Sequence, residues 1–216
     1  MHFYHFQMIG TAVFAITGVL AIAHRELDVF GGLVLGVVAA LGGGTLRDLI
    51  IGAPVFWVAD PNYVWAAVIA SIGAFFVGRF LGSTYVLLLY LDGLGAALFA
   101  VAAANKVLSL QLGPLVAVIM GVLTAIGGGL ARDVLAGRKT LLMSREIYAT
   151  PIMLGCSLYV LLRRYAPDFA FSSVLATVLM FGFRATAIHW GLQMPTWLTR
   201  GAHALIGNDS SGRPKP

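Results

Sequence analysis

The sequence reads as an all-α integral membrane protein: seven transmembrane helices, built as two inverted three-helix repeats plus a seventh helix. Three observations lead there. The first is composition. Of 216 residues, 59% are hydrophobic and 11% charged, and mean hydropathy is +0.90, where a soluble domain carries roughly a quarter charged residues. The second is a succession of apolar stretches, each about the 20 residues that a spanning helix needs, separated by short polar breaks. The third is that the chain repeats itself. Composition also excludes function classes. An ordinary globular enzyme, a disordered chain and a nucleic-acid module are ruled out, since 14 basic against 9 acidic residues, a net +5, are too few to coat DNA. In so apolar a chain that surplus is a topology signal and a contact with anionic lipid.

The elements follow in order. Span one, 5–24, runs into His24, Arg25, Glu26 and Asp28. No Lys or Arg precedes it, so it reads as a true span and not a cleaved signal peptide. Span two, 30–51, stops at Gly52-Ala53-Pro54. Span three, 62–82, opens after Asp60-Pro61 and closes at Gly82-Ser83. Span four, 84–105, is followed by Gln111-Leu112-Gly113-Pro114. Span five, 113–135, leads into the most polar connection, Gly137-Arg138-Lys139-Thr140 to Arg145-Glu146. Span six, 147–165, ends at Arg163-Arg164, and span seven is 169–190. Residues 1–200 form one transmembrane domain, with repeat one at 5–82 and repeat two at 84–165. Residues 201–216 read as a disordered cytoplasmic tail. Lipid satisfies no open backbone, and the segments are too long and too continuously apolar for barrel strands, so helices are the spanning form.

Orientation follows from the bases. With seven spans, Arg47, Lys106, Arg163 and Arg164 fall on one side and the other ten Lys and Arg on the opposite side. The positive-inside rule then places the N-terminus outside and the C-terminus in the cytoplasm of a multi-pass protein of the cell inner (plasma) membrane.

Residues 36–52 read GVVAALGGGTLRDLIIG and residues 121–137 read GVLTAIGGGLARDVLAG, with 9 of 17 positions identical at an offset of 85. The same offset aligns IGTAVFA at 9–15 with LGAALFA at 94–100, and Tyr63 with Tyr148. A unit of three spans is odd, so the second enters the membrane upside down. Inverted repeats place equivalent groups around the bilayer midplane, a transport architecture.

The repeated motif carries the chemistry. Gly42-Gly43-Gly44 and Gly127-Gly128-Gly129 weaken their helices by up to about 1 kcal/mol each relative to Ala. Kinks or short unwound turns are expected there, with freed carbonyls facing a polar interior; tight helix crossing is the alternative. Arg47-Asp48 and Arg132-Asp133 follow the glycines. Adjacent helical residues diverge, so cross-pairing is expected, Arg47 with Asp133 and Arg132 with Asp48. In a conduit the acids attract cations and the arginines line or gate a narrow passage. Thr45 and Thr124 are candidate lining, unless each faces its own helix backbone. Asp92, whose repeat partner is Gln7, either lies at the interface or guards an entrance.

Lys106 is expected at the outer interface. Arg138, Lys139 and Arg145 are expected in cytoplasmic headgroups, as topogenic charge or anionic-lipid contacts. Arg184 reads as an anchor, and Gly32-x-x-x-Gly36 as a smooth face for helix contact. Cys156, the one cysteine, excludes an internal disulfide and reads as a small buried apolar residue. His2 and His5 lack further ligands, so no metal and no cofactor are expected. No GK[ST] follows the glycines, so they form no nucleotide loop. The deep acids lack a nearby His or Ser in a catalytic arrangement, so there are no catalytic residues and no enzyme is expected.

Two GGG-x-x-RD helices in inverted three-helix repeats, with a seventh helix, resemble the prokaryotic branch of the trimeric intracellular cation (TRIC) channel family over about 1–195. The resemblance implies a homotrimer with an ion pathway inside each subunit. It implies passive permeation of monovalent cations, chiefly potassium with sodium as the other candidate, past helices kinked at Gly42–Gly44 and Gly127–Gly129. It implies no nucleic-acid partner, and membrane lipids, anionic ones among them, as surroundings. The same bacterial domain is also associated with glycine uptake, so a secondary transporter of a small solute such as glycine is the alternative.

Overall fold

The structure, a computed structural model, describes residues 2–23, 28–78, 84–144 and 146–193. They form α1 (His2–Leu20), α2 (Val29–Ile50), the short α3 (Phe56–Ala59), α4 (Asn62–Gly78), α5 (Thr84–Ser109), α6 (Pro114–Leu135), a 3-10 turn at Leu141–Met143, α7 (Ala149–Tyr165) and α8 (Ser172–His189). The protein is all-helical; among the described residues the extended pairing is one isolated bridge, Glu146 with Gln193. The seven longer helices occupy the seven apolar stretches. Five of them (α1, α2, α5, α6 and α8) are long and apolar enough to cross a membrane, and α4 is a shorter apolar helix. Large apolar side chains such as Trp65, Ile69 and Val178 are exposed on the outer surface, as a lipid-facing protein requires. The tail 201–216 and Arg145 lie outside the described residues.

The repeat extends to how helices begin and end. Both motif helices stop at a glycine in the left-handed region, Gly52 at φ 66° and Gly137 at φ 58°. The next amide then turns back, Ala53 to the Asp48 carbonyl and Arg138 to the Asp133 carbonyl, each at 2.9 Å. At the other end, Asp28 caps α2 by accepting from Gly31 N at 2.8 Å, and α6 opens on Pro114.

Packing is repeated too. A Cβ at Gly10 would meet the Phe99 ring at 2.9 Å, and one at Gly95 would meet the Phe14 ring at 3.1 Å. Gly10 and Gly95, like Phe14 and Phe99, are repeat counterparts, and the two rings stand 5.6 Å apart. Gly36 packs on Ser71 and the Ala15 carbonyl, while Gly121 packs on Cys156 and the Ala100 carbonyl, again counterparts. When residue i of one half meets j of the other and j meets i, the halves are related as in a two-fold interface. The units are α1–α2–α4 and α5–α6–α7. Helix α8 belongs to neither and packs on α5 and α7. Gly32 faces Phe75 and Gly36 faces Ser71, so this smooth face is used within the chain. Cys156 is fully buried. Helix α5 is the central element, with Ala96 to Ala104 closed off from the surface.

Candidate functional site

The α2–α6 crossing is built on the two glycine triplets. α-Helical structure runs unbroken through 42–44 and 127–129, which corrects the expected unwound turns. The missing side chains serve close approach instead. A Cβ at Gly43 would strike the Thr124 carbonyl oxygen, and one at Gly128 would strike the carbonyl oxygen of Ala39, the repeat counterpart of Thr124. Gly127 lies against the Gly43 Cα, while Gly42 is looser, with Ala131 at 4.0 Å. Backbone meets backbone with no room for a methyl group, so an intact ladder costs less than a break. Thr45 Oγ1 donates to the Leu41 carbonyl at 2.7 Å and Thr124 Oγ1 to the Met120 carbonyl at 2.6 Å. Both hydroxyls thus face their own helix, the common recourse of a helical Thr. Thr45 also accepts from the Trp57 indole at 2.8 Å.

One turn beyond each triplet lies a buried charge cluster. Arg47 Nε donates to Asp48 Oδ1 at 2.8 Å, and Lys106 Nζ reaches the same oxygen at 2.7 Å. Arg132 Nε donates to Asp133 Oδ1 at 2.9 Å, and Arg132 Nη1 to Asp92 Oδ1 at 2.7 Å and to Thr17 Oγ1 at 3.0 Å. Arg47, Asp48, Asp92 and Arg132 are at most 1% exposed and Asp133 is 3% exposed. The expected cross-pairs, Arg47 with Asp133 and Arg132 with Asp48, are therefore replaced by pairs of chain neighbours. The reason is the second carboxylate oxygen. Asp48 Oδ2 accepts from the Phe56 amide at 2.9 Å and Asp133 Oδ2 from the Leu141 amide at 3.2 Å, counterpart contacts that start α3 and the 3-10 turn. Each aspartate is held at its own helix end by the loop that follows, and the long arginine folds back onto it. Asp133→Asn is expected to loosen the turn; hydrogen exchange at the Leu141 amide should speed up while exchange in α2 stays unchanged.

The clusters are not fully satisfied by the protein. Arg47 Nη1 and Nη2, Arg132 Nη2, Asp92 Oδ2 and the Tyr148 hydroxyl are buried without a hydrogen-bond partner. A Cβ at Gly129 would lie 3.0 Å from Asp92 Oδ1 and 3.2 Å from Tyr148 Oη, so the third glycine lets these polar groups pack closely on α6. Its counterpart Gly44 faces the Phe56 ring, over which the Arg47 guanidinium lies at 5.7 Å.

Other expected residues fall as follows. Asp92 is wholly buried and ion-paired, not interfacial. Lys106 is bound to Asp48 instead of standing free at the surface. Arg184 is no anchor: it is 4% exposed, binds Glu146 at 2.6 Å and donates to the Ile147 carbonyl at 3.0 Å, joining α8 to the segment that presents Tyr148. Arg138 is half-buried, donating to the Ala21 carbonyl at 3.0 Å and covering the Tyr85 ring; Lys139 is exposed. The sequence reading missed Thr17, Glu146 and the role of Lys106. Lys106 carried a signal, as a charge whose counterpart is Ala21. Among the described residues no group of three His, Cys, Asp or Glu is placed to hold a metal.

Comparison with known proteins agrees with this geometry. The family model described as glycine transporter matches twice, at 4–79 and 89–164, the same offset that relates the two halves. The chain is 40% identical to the UPF0126 inner membrane protein YadS of Escherichia coli (strain K12) over 202 residues, 90% of this chain and 95% of that one. It superposes on the TRIC trimeric intracellular cation channel orthologue from Rhodobacter sphaeroides with a TM-score of 0.85 and 38% identity, covering 88% of this chain and 98% of that one. A further structure, solved to explain conductance through TRIC cation channels, matches with a TM-score of 0.80 and 30% identity over 94% and 100% of the two chains. These solved neighbours are channels and not enzymes. A twice-repeated GGG-x-x-RD helix, reciprocal packing between the halves and these matches together make the chain a member of the prokaryotic TRIC family.

Proposed function

We propose that this protein is a passive channel for monovalent cations, chiefly potassium, with a path inside each protomer of a homotrimer. One observation carries the reading: two repeat-related clusters of buried charged side chains keep donors and acceptors that the protein leaves unpaired. At membrane depth such groups are costly unless they meet water or an ion, and buried water takes up polar atoms of this kind. Water-filled vestibules at Arg47–Asp48 and at Arg132–Asp92 follow, one on each side of the α2–α6 crossing. The glycine contact between them is then the gate. Its close backbone approach bars an ion, and a small separation of α2 from α6 would open it without moving any side chain aside.

Seven spans, the N-terminus outside and the C-terminus in the cytoplasm complete the topology. A unit of three spans then makes the internal two-fold an inversion. Lys139, exposed beyond the end of α6, contacts anionic headgroups at the cytoplasmic surface.

Purified protein in planar bilayers under a potassium/sodium gradient should give unitary currents reversing towards the potassium potential. Flux limited to one solute per conformational cycle would defeat the proposal. The glycine-transporter description of the matching family favours a second reading, secondary transport of glycine. Saturable labelled-glycine uptake into proteoliposomes, without unitary currents, would select it.

A further inference from the structure

Two charges in the clusters have no charged counterpart in the other half. Asp92 corresponds to Gln7, and Lys106 to Ala21. The symmetric pairs Arg47–Asp48 and Arg132–Asp133 cancel within themselves. Asp92 therefore leaves its cluster with a formal charge of −1, and Lys106 leaves its own with +1. Nearby charges do not undo this. Arg184 is itself paired with Glu146. Arg138 keeps its charge but takes no part in the cluster's hydrogen bonds, lying at the Ala21 carbonyl and over the Tyr85 ring, and Lys139 is exposed, where salt screens it.

Both unmatched charges stand on α5. They are 14 residues apart, about 21 Å along the axis at 1.5 Å per residue, and about 40° apart around it. One face of one helix thus carries an acid near its start and a base near its end, over about two-thirds of a hydrocarbon core roughly 30 Å thick. Neither charge is needed to hold its cluster together. Asp48 keeps Arg47 and the Phe56 amide without Lys106, and Arg132 keeps Asp133 without Asp92.

We infer that Asp92 and Lys106 polarise the path, making one vestibule cation-collecting and the other cation-repelling, so that conduction rectifies. The inference rests on the channel reading above. Asp92 Oδ2, buried and without a hydrogen-bond partner, is the atom that meets the ion. Lys106, with its side chain 26% exposed, sets the barrier at the far vestibule. Cations gathered at the Asp92 vestibule leave through the Lys106 vestibule more readily than they travel in reverse.

The test writes each half into the other. Single channels of the wild type, Asp92→Gln, Lys106→Ala and the double variant are recorded in symmetric potassium chloride at equal and opposite voltages. A unit charge about 6 Å from a hydrated ion changes its local concentration about threefold. The wild type should therefore show a current ratio of about that size, each single variant a smaller one, and the double variant a ratio near one, whatever the size of its current. A linear wild-type current–voltage relation overturns the inference, as does a double variant that rectifies like the wild type. Well-folded wild type that passes no potassium current at all defeats the channel reading itself. Asp92→Asn, closer in shape, serves if Asp92→Gln fails to fold; if it too retains the wild-type ratio in conducting channels, Asp92 has no part in rectification.

Discussion

Gly43→Ala is expected to destabilise the protein by about 1–3 kcal/mol and to abolish or greatly reduce its currents. The added methyl has nowhere to go, because the Thr124 carbonyl stands where it would sit. Neither that carbonyl nor Gly43 belongs to a flexible side chain, so two packed helices must shift, the situation in which overpacking is costly. Gly128→Ala should behave alike, because the Ala39 carbonyl opposes it in the same way. Gly73→Ala is the control, with nothing within 4 Å of its Cβ position; there the better helix propensity of Ala should leave the protein as stable or slightly more so. Thermal unfolding in one detergent separates the three. Equal midpoints for Gly43→Ala and Gly73→Ala would show that the crossing has room for a methyl group. A fall in stability without loss of current would remove the gate from the crossing and leave it a structural contact.

Arg132→Ala is expected to cost about 3–5 kcal/mol, the range for stripping a buried ion pair of one partner. It leaves two carboxylates, Asp92 and Asp133, facing each other in the interior. Adding Asp92→Asn should recover part of the loss, giving a coupling of about 1–3 kcal/mol in a double-mutant cycle measured by unfolding in mixed micelles. The same cycle on Arg47 and Asp133 should give coupling within about 0.5 kcal/mol of zero, as for sites without shared partners. A large Arg47–Asp133 coupling would restore the cross-pairing that the repeat suggested, and would mean that the clusters exchange partners in solution.

Much of the architecture was legible in the residues. Apolar runs of spanning length predicted every long helix, because lipid leaves a helix no alternative to satisfying its own backbone. The doubled GGG-x-x-RD motif pointed to the place where the halves meet and to the four charges at its edge. Partner choice was not legible. Divergence of neighbouring helical residues leaves Arg47 free not to pair with Asp48, and the two-fold axis suggests cross-pairs, yet an arginine is long enough to fold back onto its neighbour. What decided the matter was an amide eight residues further on that claims the other carboxylate oxygen. The glycines misled in a similar way. Three in a row weaken an isolated helix, but pressed against a second backbone they are the residues that let it stay whole.

The chain alone determined the all-helical class, the duplication and the motif charges Arg47, Asp48, Arg132 and Asp133, since each depends on local composition and on an offset countable along the sequence. The three-dimensional packing decided which charges meet, that Lys106 and Asp92 complete opposite clusters, and that α8 reaches back through Arg184 to the segment of Tyr148. Those outcomes turn on contacts between residues tens of positions apart, at distances of about 3 Å, and no periodicity in a sequence encodes where two crossing helices will place their side chains.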